Sequence, residues 1–339
     1  MVDTLSISPS IKVIFGAMNI GEPGDGRTRV HSVENATETV DVFKSYGHKD
    51  IDTARVYGNG SSEAFLSHMD LSPFNIDTKL FPSAANPSIA NATAAYHHSP
   101  ADLRRGLLDS LAALKVKKIH TWYLHGPDRT VPFVDTLREV NKLHEEGYFN
   151  RLGISNYQSW EVATLCDIAD QHGWIKPSVC QGIYNAFHRA IEPELLKCLR
   201  HHKISYYCFN SLAAGMLTSR YSRDQPDSVS GGRFDSSSSS GSLTCKRYYH
   251  DVYFDALEIL RPVAKEHGLT EVECALGWLS HHSELKEELG DGIVIESSSA
   301  QQLEENLKVL AKRPLPQDVV DALNKGYEII RGNQLIYWH

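Results

Sequence analysis

An α/β fold closed into a (β/α)8 barrel is the architecture this sequence predicts, on three observations. Short apolar runs alternate with longer segments of helical period, eight times over. No Gly-x-Gly-x-x-Gly follows the first run, as an open dinucleotide-binding sheet would want. Polar residues gather at the C-terminal ends of several different runs, where barrels carry their active sites.

The strands are read in order. The first is VIFGA (13–17), the second DIDTA (50–54) and the third NIDTKL (75–80). A helix over 99–115 then repeats Leu103, Leu107, Leu111 and Leu114 along one face. Its start is marked by Ser99 with Asp102 after it, and by Pro100 at the first helical position. Strand four is IHTWYLH (119–125), followed by a helix over 131–147 that Gly147 stops. Strands five to eight are RLGIS (151–155), SVCQGI (178–183), ISYYCFN (204–210) and GIVIE (292–296). At 339 residues the chain exceeds the usual domain size, but α/β barrels reach it, so 1–339 is read as one domain. Two stretches break the rhythm. Residues 211–250 form a long loop after strand seven, and the serine run in GGRFDSSSSSGSLTCKR reads as a flexible linker. Residues 313–339 hold a final helix and an aromatic tail ending YWH.

The bulk numbers exclude several classes. A formal charge of −8, with Lys and Arg scattered, disfavours nucleic acid. No window approaches 18 uninterrupted apolar residues, so no membrane span is expected. The start MVDTLSISPSIKV lacks a basic segment followed by an apolar one, so it does not read as a secretory signal. Six widely spaced cysteines without a CxxC pair read as buried hydrophobes in a reducing compartment, and a cytoplasmic location is expected. The three adjacent histidine pairs (His97-His98, His201-His202, His281-His282) make poor paired ligands, so no metal is expected.

The chemistry is read at the strand ends. Strands two, three and four present Asp52, Lys79 and His125, with Tyr57 in the loop after strand two. In a barrel these four converge on one mouth. An ammonium beside a phenol stabilises phenolate, a carboxylate keeps that ammonium charged and aimed, and a neutral imidazole orients a carbonyl. The result is a general acid able to protonate a developing alkoxide. The four supply no reductant, so a hydride must come from a cofactor. Arg55, between Asp52 and Tyr57, has no role assignable from sequence.

With these residues in place, the sequence resembles the aldo-keto reductase family. DIDTARVYGNG, NIDTKL, YLHGPD (123–128), LGISNY (152–157) and QGIYN (181–185) carry the likeness, which runs from about residue 12 to about residue 330. It is closest to the aflatoxin-aldehyde and succinic semialdehyde reductase branch, through GWIKPSVCQGIYNAFHR, FNSLAAGMLTSRY, GGRF and SSSAQQLEENL. The resemblance implies a (β/α)8 TIM barrel that reduces a small aldehyde or ketone with NADPH. By position, Tyr57 is the acid, Lys79 and Asp52 tune it, and His125 orients the carbonyl. Relatives of this branch are often homodimers, which the resemblance extends to this chain.

The same matching implies a cofactor site. Ser155, Asn156 and Gln181 correspond to residues that bind the nicotinamide carboxamide, and Phe209 stacks on the ring. Asn210, Leu212, Gly215 and Leu217 cover the pyrophosphate, with Arg220 assisting. Ser298, Gln302, Glu305 and Asn306 match the adenosine end. One departure stands out: Glu296 and Gln302 occupy places where many family members carry Lys and Arg around the 2′-phosphate. In GGRF, Arg233 matches an arginine that faces substrate and pairs with an acidic group. Two further readings stay open. One is a nucleotide-binding regulatory subunit resembling the potassium-channel beta subunits; the other is reduction of an aromatic ketone in a secondary-metabolite pathway.

Overall fold

The computed structural model describes residues 11–24, 27–85, 94–223, 233–235 and 239–339. Eight parallel strands close into a barrel in sequence order. They are β1 (Lys12–Gly16), β2 (Asp50–Asp52), β3 (Asn75–Leu80), β4 (Ile119–Leu124), β5 (Phe149–Ser155), β6 (Pro177–Ile183), β7 (Ser205–Phe209) and β8 (Gly292–Ile295). The first helices around them are α1 (Val33–Ser45), α2 (Ser61–Leu66), α3 (Pro100–Leu114), α4 (Phe133–Glu145), α5 (Ser159–His172) and α6 (Leu195–His201). The second half adds α7 (Ser239–Tyr248), α8 (Asp251–Glu266), α9 (Glu271–His281), α10 (Ala300–Leu310) and α11 (Gln317–Ile330).

All eight expected strands form, with ends shifted by one or two residues, the usual uncertainty of an element boundary. Thr53, His125, Asn210 and Glu296 fall just beyond their strands and become loop residues at the mouth. The local start and stop signals act as read. The Ser99 hydroxyl accepts from the Asp102 amide, and Gly147 takes φ 87° just beyond α4. One expectation is corrected: the end of the serine run is not linker but the start of α7. Tertiary contacts override its weak propensity. Tyr248 is fully buried, its hydroxyl accepts from Asn185 and Asn210, and the Cys245 thiol meets the Phe234 carbonyl. The stretches 224–232 and 236–238, with Gly232 of GGRF, lie outside the described residues.

The core between strands and helices is apolar and continuous, while the barrel interior is mixed. Period-2 alternation points every second residue inwards. Ile14, Tyr123, Val179, Tyr207 and Val294 pack across the interior, and Phe209 rests on them. Two glycines make room for the rings. A Cβ on Gly153 would overlap Tyr123, and one on Gly292 would overlap Ile14 and crowd Tyr207. Above this plug, at the C-terminal ends of the strands, the interior turns polar.

Candidate active site

β2 ends at Asp52, and the chain turns while still fastened to β3. The Thr53 amide donates to the Asp77 carbonyl, and the Arg55 amide to the Lys79 carbonyl. Tyr57 opens a short 3-10 turn, Tyr57–Gly60, in which Gly58 and Asn59 take φ 55° and 54°. Such left-handed backbone suits Gly and Asn, so Gly58, Asn59 and Gly60 form the turn into α2. Arg55 also gains an explanation. Its guanidinium pairs with Glu63, a fully buried carboxylate that also accepts from the Thr78 hydroxyl at 2.7 Å. Arg55 thereby ties the Tyr57 loop to the strand that carries Lys79.

Lys79 is fully buried, with all its donors used. Its ammonium lies 2.5 Å from Asp52 Oδ2, 2.8 Å from the Thr53 carbonyl and 3.3 Å from Tyr57 Oη. The other oxygen of Asp52 accepts from Gln181 Nε2 at 2.9 Å. His125 stands edge-on to both Tyr57 and Phe81, with ring centroids 5.6 and 5.7 Å away. Its Nδ1 is buried and has no hydrogen-bond partner among the described residues.

The electrostatics refine the expectation for Tyr57. Burial pushes the phenol above its ordinary value of 10.0; Lys79 pulls it down, while Asp52 and Glu296 push it up. The net direction is upward, so the lowering expected from the ammonium is present but outweighed. Lys79 is held above its ordinary value because Asp52 and Tyr57 together outweigh its own desolvation. His125 is driven well below the ordinary imidazole value by burial and then by Lys79, which keeps it neutral.

The expected cofactor residues spread along the mouth from β5 to α10. Ser155 and Asn156 are buried, and Asn156 sits at φ 63° with Nδ2 donating to Ser155 Oγ and to the His125 carbonyl. Gln181 is buried among them but turned towards Asp52. Phe209 ends β7, and Asn210 just beyond it donates through Nδ2 to Tyr248 Oη at 2.7 Å. Leu212 leads into the turn Ala213–Gly215, beyond which Leu217 is buried and Arg220 exposed. Ser298 donates through both its amide and its hydroxyl to Gln302, one residue from the Ser299 cap of α10. On that helix Glu305 is exposed and Asn306 buried.

Several residues at the mouth have no sequence signal. Asn19, just after β1, donates to the Ser297 carbonyl and accepts from Arg233. Arg233 also pairs with Glu296 at 2.7 Å, so the loop arginine bridges the β1 and β8 ends. The chain's last residues arrive too. The His188 ring contacts the Leu335 carbonyl at 2.9 Å, Tyr337 Oη accepts from the Ser159 amide, and the His339 amide donates to the Asn156 carbonyl. Their partners lie far away in sequence, so no periodicity could reveal them.

Chains of known proteins share this arrangement of elements. The model of the aldo/keto reductase family matches residues 12–328. The aldo-keto reductase pigE of Monascus ruber is 45% identical over 342 residues, covering 98% of this chain and 99% of that protein. The human aflatoxin B1 aldehyde reductase member 4 is 34% identical over 322 residues, 93% of each chain. Among solved structures, the glycerol dehydrogenase AKR11B4 from Gluconobacter oxydans superposes with a TM-score of 0.70 at 21% identity, covering 95% of this chain and 91% of that one. At that identity the superposition speaks for the fold alone.

Proposed function

This chain belongs to the aldo/keto reductase family, and from that premise we propose that it reduces an aldehyde or ketone to an alcohol with NADPH. The observation that carries the reading is the buried Lys79 ammonium, in reach of both Asp52 and Tyr57 Oη. Burial keeps the proton on Tyr57 at neutral pH. As it leaves, phenolate charge grows beside Lys79, so that contact strengthens most in the transition state. Neutral His125 donates a hydrogen bond to the substrate oxygen and aims it at Tyr57.

The described residues fit a dinucleotide. The Ser297 hydroxyl, two residues before the cap of α10, and the Asn306 amide nitrogen, within that helix, are buried without a hydrogen-bond partner among the described residues. No acidic side chain stands in the first turn of α10, which leaves its positive end open to phosphate. Bound there, NADPH supplies the hydride. Ser155, Asn156 and Gln181 would hold the carboxamide, Phe209 the ring, the 210–220 loop the pyrophosphate, and Ser298, Gln302, Glu305 and Asn306 the adenosine. Glu296 pairs its charge with Arg233, which also donates to Asn19, and this pairing favours NADPH more than the bare sequence does. Arg233 recognises a carboxylate-bearing substrate when that carboxylate takes the place of Glu296. In this reading residues 1–339 form one domain, and the protein works as a homodimer in the cytoplasm.

Steady-state turnover tests it, with succinic semialdehyde and 4-nitrobenzaldehyde as substrates and NADPH or NADH as cofactor. NADPH consumption with both aldehydes is expected, and Arg233→Ala should lose more kcat/KM on the charged one. Binding of NADPH without turnover of any carbonyl would sink the enzymatic reading. A preference for NADH would overturn the cofactor, and an unchanged substrate ratio would remove Arg233 from recognition.

A further inference from the structure

One buried acid in the barrel has no part in the mechanism above. Asp77 lies on β3 directly in register with Asp52 on β2, so the two carboxyls stand side by side in the interior. Asp77 is 1% exposed and forms no ion pair with any described residue. One oxygen accepts from the Thr121 amide at 2.9 Å; the other is 3.5 Å from Tyr123 Oη, a weak contact. Asp52 cannot share a proton cheaply, since Lys79 and Gln181 occupy both its oxygens. The ionisable groups that act on Asp77 are Asp50 and Asp52 on β2, Tyr123 on β4 and Arg151 on β5, with Lys79 two residues on along β3 and Lys12 on β1 beside Asp50. Of the cations, Arg151 is turned to Tyr207 and Ser178, Lys12 to Asp50 and Lys79 to Asp52. A carboxyl so placed stays protonated. Burial first, then Asp52, pushes it up to about 8.

We propose that Asp77 is a positioning residue for the proton donor: uncharged, it leaves Asp52 as the one anion set against Lys79, and ionised, it tightens the hold on the Lys79 and Tyr57 protons and weakens Tyr57 as an acid. The inference rests on the reductase reading and adds to it a group acting through Lys79. Asp77→Asn keeps the shape and the acceptor for Thr121 but cannot ionise; Asp77→Ala is the second variant should the first fail to fold.

The test follows kcat for NADPH-driven reduction of 4-nitrobenzaldehyde, and Tm, from about pH 5 to about pH 9.5 in parent and variant. The parent should lose rate through an ionisation near pH 8 that the variant lacks. At about pH 9 the variant should retain about fivefold more of its neutral rate than the parent does. The parent's Tm should also fall relative to the variant's as pH rises from about 5 to about 8, because only the folded state keeps that proton. Superimposable rate profiles, or a Tm offset independent of pH, would overturn the role of Asp77. A parent with no turnover at any pH would instead overturn the reductase reading, and this inference with it.

Discussion

At the scale of the residue, opposing influences meet on the oxygen of Tyr57. Burial, Asp52 and Glu296 hold its proton, while Lys79 favours letting it go. The proton is therefore present at neutral pH, and in the proposed reaction it leaves only when the substrate oxygen takes it. Tyr57→Phe removes that proton and one long contact of Lys79, while the ring keeps its edge contact with His125. Turnover should fall by at least about a hundredfold while NADPH affinity, read by tryptophan fluorescence, changes by less than about twofold. Retained turnover would move the donor elsewhere. Asp52, Lys79 and His125 were legible because a strand of period two dictates which side chains face inwards. Their partners were not: Gln181 reaches Asp52 across 129 residues, and no local pattern encodes that contact. The Arg55–Glu63–Thr78 link escaped for the same reason, since it depends on how three separate elements pack.

At the scale of the element, the strands were legible and the loops were not. Apolar runs bounded by turn residues suffice to mark a strand, and Ser99 and Gly147 suffice to mark helix ends. In α7 the local sequence argues for a linker, and packing of Phe234, Cys245 and Tyr248 decides otherwise. Element-scale packing also explains Gly153 in β5, whose place is fixed by the Tyr123 ring opposite. Gly153→Ala should destabilise the barrel by about 1–3 kcal/mol through overpacking, seen as a Tm a few degrees lower. Because Lys79 lies 5.8 Å from the centroid of the Tyr123 ring, kcat should fall as well. An unchanged Tm would mean that the ring yields without strain.

At the scale of the whole molecule, buried neutral histidines tie its acid stability to its packing. His98 sits behind β3 with its ring near the Leu80 carbonyl, and His188 holds the tail through Leu335. Burial lowers both to about 4. An unfolded histidine takes up its proton near pH 6.5, so the unfolded chain binds more protons between about 6.5 and about 4. The stability these two residues confer is complete above that window and is lost as pH falls through it, by up to about 3 kcal/mol each. Denaturant unfolding of the Asp77→Asn variant, in which the opposing titration of Asp77 is absent, should show the loss between about pH 7 and about pH 5, and equal midpoints would refute it. The barrel as a whole was legible from alternation taken with the missing Gly-x-Gly-x-x-Gly and the polar strand ends, whereas the path of the tail over its mouth was not.

The closure of the barrel between β8 and β1 also has a meaning in time. Asn19 and Ser297 touch, yet 278 residues separate them. At roughly 5–20 residues per second, a ribosome needs on the order of 15–55 seconds to travel from one to the other. Throughout that interval β1 lacks its β8 partner, and the segments that carry Asp52, Lys79 and His125 are synthesised before β8 and α10. The ring between β8 and β1 can therefore shut only once β8 has left the exit tunnel.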